Sequence, residues 1–96
     1  MNRLFVPCVG KKLAPVIING HRLLILSQDK KLLGDGLPLI GGDRVKSLPK
    51  VASSDEQERL LGQLAERSSA GIVVAPDNIE MKDLIRSLEN ELPWVQ

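Results

Sequence analysis

A chain of 96 residues has room for one small core and reads as a single domain spanning 1–96. Apolar residues make up 43% of it and the formal charge is +1. That balance argues against a disordered chain and gives no overall field of one sign to grip a phosphate backbone, so no nucleic-acid partner is expected.

The only aromatic residues are Phe5 and Trp94, so the core falls to Leu, Ile and Val, and a stacking platform for single-stranded nucleic acid is missing. Cys8 is the sole cysteine. It cannot form an internal disulfide, which fits a reducing compartment. Met1-Asn2-Arg3 before a short apolar run has the layout of a signal peptide, but the run is brief and holds Pro7. No run approaches the roughly 18 apolar residues of a membrane helix. The expected location is cytoplasmic, without direct membrane insertion.

In chain order, Leu4-Phe5-Val6 predicts a short strand stopped by Pro7, and Gly10-Lys11-Lys12 a turn. Val16-Ile17-Ile18, then Asn19-Gly20, then His21 to Leu26 predicts a β-hairpin. Both central residues of a type I′ turn need positive φ, which Asn and Gly tolerate best. The second arm, Leu23-Leu24-Ile25-Leu26, is apolar on both faces, as a strand inside a layered sheet would be. Residues 32–42 predict a loop or a single helical turn, because Gly34, Gly36, Pro38, Gly41 and Gly42 interrupt them. Arg44 to Leu48 reads as a short strand.

Ser53 and Glu56 have the spacing of a capping box, and Leu60, Leu61, Leu64 and Ala65 then share one helical face. Gly71 to Ala75 predicts a buried parallel strand ended by Pro76. Asp77 with Glu80 repeats the capping spacing before Met81, Leu84, Ile85 and Leu88, another helical stripe. Trp94-Val95 predicts a last short strand. This alternation implies an α/β fold: a small parallel sheet with flanking helices, flavodoxin-like or Rossmann-like, plus an N-terminal β-hairpin.

Few residues suggest chemistry. The glycines match neither a dinucleotide fingerprint nor a phosphate loop, and turn geometry accounts for them. His21 lacks partner ligands for a metal, and a Cys8–His21 dyad lacks an orienting third group. No catalytic set, metal or cofactor is therefore expected. Asp29 lies just past the carboxyl end of one expected parallel strand, and Asp77 and Asn78 past another. Ligands of open α/β sheets bind there, although both acids also suit helix capping. Trp94 is either a core plug or the anchor of a protein interface.

From His21 to Gln96 the pattern resembles the F subunits of the V/A-type rotary ATPases. The resemblance lies in Leu23-Leu24-Ile25-Leu26 followed by Asp29 and Leu33-Gly34, and in a Leu-rich segment ending at Gly41. It continues in Leu64-Ala65-Glu66-Arg67 before Ala70-Gly71-Ile72-Val73-Val74, and in the Ile79 to Leu88 helix before Leu92-Pro93. It implies residues 1–20 as a β extension on a 21–96 core, and a non-catalytic, regulatory subunit that binds protein; the apolar segments Leu4-Phe5-Val6 and Pro93-Trp94-Val95 near the chain ends point in addition to self-association. Residues 64–74 also look like sensor domains of purine-catabolism regulators. The alternative is a small-ligand sensor, its site at the carboxyl ends of the strands by Asp29, Asp77 and Asn78.

Overall fold

The computed structural model describes residues 3–95; Met1 and Asn2, and the expected boundaries at 1 and 96, lie outside the described residues. The elements are β1 (Phe5–Val9), β2 (Lys12–Leu13), β3 (Val16–Ile18), β4 (His21–Leu26), α1 (Lys30–Ile40), β5 (Arg44–Ser47), α2 (Ser54–Ser68), β6 (Gly71–Val74) and α3 (Met81–Glu91). They form a mixed α/β fold of three helices and two three-stranded sheets, ordered β2-β1-β5 and β3-β4-β6.

The strands do not form the single parallel sheet that the sequence implies. β4 and β6 pair in parallel, with Leu24 opposite Ile72 and Leu26 opposite Val74. β1–β2, β1–β5 and β3–β4 are all antiparallel. β5 does not join β4 and β6. It lies against β1, Val6 opposite Lys46 and Cys8 opposite Arg44. The physical reason is β1, which runs through Pro7 instead of stopping there. Proline lacks only a donor. On the side of β1 away from β5, Phe5 exchanges two bonds with Ser27, and Pro7 needs only to accept from Ala14 N at 3.0 Å. The missing N–H thus falls where β1 changes partner from the end of β4 to the β2 side.

The Phe5–Ser27 bridge makes a corner between the sheets. Alternation along the strands then separates two apolar clusters. Val6, Cys8, Leu24 and Leu26 lie on the side closed by Leu60, Leu61 and Leu64 of α2. Ile25, Phe5, Val45 and Val73 lie on the other, closed by Leu33 and Ile40 of α1 and by Met81 and Leu84 of α3. β4 is buried on both faces, as its unalternating sequence implied.

The Asn-Gly hairpin forms, with φ of 53° at Asn19 and 83° at Gly20. Ser53 caps α2, its Oγ accepting from Glu56 N at 3.2 Å, while the Glu56 carboxylate accepts from Ala52 N, one residue short of an ideal capping box. Residues 92–95 form no strand. Trp94-Val95 instead runs beside the hairpin turn.

The expected loop at 32–42 is a helix of 11 residues, α1. Its start is fixed by Asp29, whose Oδ1 accepts from Lys31 N and Leu32 N at 3.0 and 3.1 Å. Its end is fixed by Gly41 in the left-handed region, φ 76°. Gly36 is not a breaker but a contact point: a Cβ there would sit 2.5 Å from Met81 Cβ of α3. Gly62 of α2 has open space around it. Opposite outcomes follow for two alanine substitutions. Gly36→Ala should lower stability by about 1–3 kcal/mol through overpacking, whereas Gly62→Ala should raise it by about 0.5–1 kcal/mol through helix propensity. Thermal melts resolve both, since roughly 4–8 °C accompanies each kcal/mol in a domain of this size.

Candidate functional site

The carboxyl ends of β4 and β6 lie side by side because the pair is parallel. The pairing carries past the strands: Ala75 N donates to Leu26 O at 2.7 Å. Beyond it the chain turns sharply on each side. Ser27 Oγ accepts from Asp29 N at 2.9 Å, and Asn78 takes a left-handed φ of 61°. The three residues singled out from sequence are thereby brought to one edge of the fold. Asp29 and Asn78 line a cleft of 630 Å³ between the starts of α1 and α3. Asp29 and Asp77 line an adjoining one of 590 Å³ that also meets Arg3, Phe5 and Lys30.

Their roles differ. The Asp29 carboxylate is spent on capping α1, as above. Asp77 does not cap α3, contrary to its spacing: Glu80 is the residue before the first turn, and no side chain bonds there. Asp77 is exposed and its carboxylate is not used by the helix. The larger cleft carries two exposed ion pairs, Lys31–Asp35 at 2.8 Å and Lys82–Glu80 at 3.4 Å. The hydrogen bond to Asp35, and its charge, hold the Lys31 amine above its ordinary range. Leu39 and Met81 give the cleft an apolar floor. Such a groove suits a ligand with an apolar body and both donor and acceptor groups.

Cys8 and His21 are not brought together. Cys8 is buried in the α2-side cluster, and burial pushes its thiol up against the opposing pull of Lys46, Arg44 and Arg67. His21 Nε2 donates to Pro93 O at 2.6 Å. Among the described residues no group of three or more His, Cys, Asp or Glu side chains is placed to hold a metal ion. None of their helices is long and apolar enough to cross a membrane.

Trp94 is 74% exposed, which removes the core-plug alternative. The backbone around it is nevertheless tightly held. Asn19 Nδ2 donates to Glu89 O and Leu92 O, each at 2.8 Å, closing the end of α3. Val95 N donates to Asn19 O at 3.0 Å, and Gly20 leaves room for Val95, whose Cβ would lie 3.0 Å from a Cβ at Gly20. The sequence showed the Asn-Gly turn but not this second use, because capping by a residue some 70 positions away leaves no local pattern.

Asn19→Gly isolates that use, since glycine keeps the turn conformation and loses only the amide. Stability should fall by about 1–3 kcal/mol as two helix-end carbonyls lose their donor. Amide hydrogen exchange should quicken at residues 92–95 more than in β3 and β4; uniform change along the chain would contradict a specific tie. Comparison of the chain with protein-family models, with curated proteins and with solved structures gives no match.

Proposed function

We propose that this domain is a non-catalytic, protein-binding module whose anchor is Trp94. The observation that carries the reading is the combination of a largely exposed indole with a fixed backbone. An indole exposed on a frayed end is ordinary. Here Asn19, Gly20 and His21 hold the segment on both sides of it. The neighbouring Val95 is 55% exposed and extends the apolar surface. Tryptophan held ready in this way is the residue type that most often dominates an interface. A small regulatory subunit is also what the resemblance to the F subunits of rotary ATPases implies, with a second copy or another protein as partner.

A second reading rests on the paired clefts at Asp29, Asp77 and Asn78. Their position at the carboxyl ends of the parallel pair, with an apolar floor and polar rim, supports a small-ligand sensor. Native mass spectrometry of protein purified from its host would report a retained small molecule for this reading, and added protein mass for the first.

Trp94 is the only tryptophan and the chain has no tyrosine, so its fluorescence reports this one position. In dilute solution the emission should be that of a water-exposed indole. It should shift to shorter wavelength as concentration rises or a partner is added. Trp94→Ala should weaken association by about 2 kcal/mol or more and leave the monomer melt nearly unchanged. Emission that is buried at all concentrations, or a large loss of monomer stability in the variant, would contradict the anchor role.

A further inference from the structure

At the other end of the β4–β6 pair lies a third cleft, of 400 Å³, with Lys11, Lys12, Arg22 and Arg67 in its lining and no carboxylate. The sequence scatters these four cations; the fold collects them. Lys12 reaches the site through its pairing with Val9, and Lys11 lies in the preceding turn. Arg22 is the second residue of β4, and its Nε donates to Ser68 O at 2.9 Å, which ties the strand to the last residue of α2. Arg67 comes alongside with that last turn. Lys11, Lys12 and Arg67 form no ion pair among the described residues. The acid of the neighbouring β5 start, Asp43, is already engaged by Gly10 N and Arg44 Nε.

Four like charges around one concavity repel, and water screens them only in part. The end of α2 offsets roughly half a charge. A bound anion removes the rest of that repulsion. One carboxylate supplies a single charge, whereas a phosphate supplies about two, with oxygens that suit a guanidinium fork and ammonium groups together. Arg22 is already oriented by its bond to Ser68, and exposed Ser69 adds a hydroxyl at the rim. Neither Phe5 nor Trp94 lies in this cleft, so it offers no aromatic platform for bases. We propose that the cleft binds the phosphate end of a phosphorylated small molecule, seated among Lys11, Lys12, Arg22 and Arg67. This site is separate from the clefts at Asp29 and Asp77 and does not depend on either reading above.

Pyrophosphate is the probe, titrated into the labelled chain at constant ionic strength while amide shifts are followed by NMR. Saturable shifts are expected at residues 11–13, 22 and 67–69. Arg67→Glu and, separately, Lys12→Glu should each weaken binding about tenfold or more, with amide spectra that remain folded. Arg86→Glu makes the same charge change on α3 and should leave the affinity unchanged. Shifts that do not saturate, that chloride reproduces, or that Arg86→Glu weakens as much as Arg67→Glu would overturn the proposal. So would a single-stranded oligonucleotide that binds more tightly than pyrophosphate and spreads the shifts to Arg44 and Lys46, since the face would then serve a polyanion.

Discussion

The side chain of Asn19 holds together parts of the fold that are far apart in sequence. A type I′ turn forces it into the left-handed region, a conformation that most residues resist. Once there, its amide points at the last turn of α3, where Glu89 and Leu92 carbonyls lack helical partners. Asn19 is only 8% exposed, so these bonds form largely out of water and leaving them unmade is costly. The same residue fixes the terminal segment through its carbonyl. One two-residue turn therefore sets the hairpin register, the end of α3 and the position of Trp94. Aspartate tolerates the turn nearly as well, but its carboxylate cannot donate, so the second role selects the amide.

The parts of the fold that were legible in the sequence are those whose cause is local. The Asn19-Gly20 turn, the Ser53 cap and the stripes of α2 and α3 each follow from residues within about one turn of one another. The strand Gly71–Val74 and its parallel pairing with β4 also followed from its apolar run, but its expected burial did not: β6 is an edge strand, with Gly71 and Val74 exposed and Ile72 and Val73 half-buried. Failures had distant causes. Gly36 reads as a helix breaker until Met81 is seen against it. Pro7 reads as a stop until the partners of Phe5 and Ala14 are known. A strand such as Arg44–Ser47 carries no mark of its partner, and alternation with helices suggested β4 where β1 was nearer. The candidate site was partly legible. Strand ends identified Asp29, Asp77 and Asn78, but the same spacing wrongly gave Asp77 a cap to make.

Charge shows the same division between sum and arrangement. A formal charge of +1 is a total and says nothing about placement. Folding puts Asp29, Asp77 and two exposed ion pairs at the carboxyl end of the parallel pair. It puts Lys11, Lys12, Arg22 and Arg67 at the amino end, with Arg44 and Lys46 on the same side of their sheet as Cys8. Two ends of one small domain thus differ in the ligands they favour, although the whole chain is nearly neutral. Over such distances salt screens one end from the other, so each acts as a separate local field.

Ile17 is 66% exposed on β3, where it stands alone opposite the charged Arg22. An isolated apolar residue of this kind is ordinary. Trp94 differs because order has been imposed on its segment during folding. A flexible segment loses backbone and rotamer freedom when it docks, and that loss is subtracted from the affinity. In residues 92–95 the backbone part of the loss is already met by the bonds to Asn19 and His21. What remains on docking is chiefly the ordering of one stiff side chain with two torsions. The large area of an indole is then available to drive association, which is why the fixed backbone, and not exposure alone, supports the binding reading.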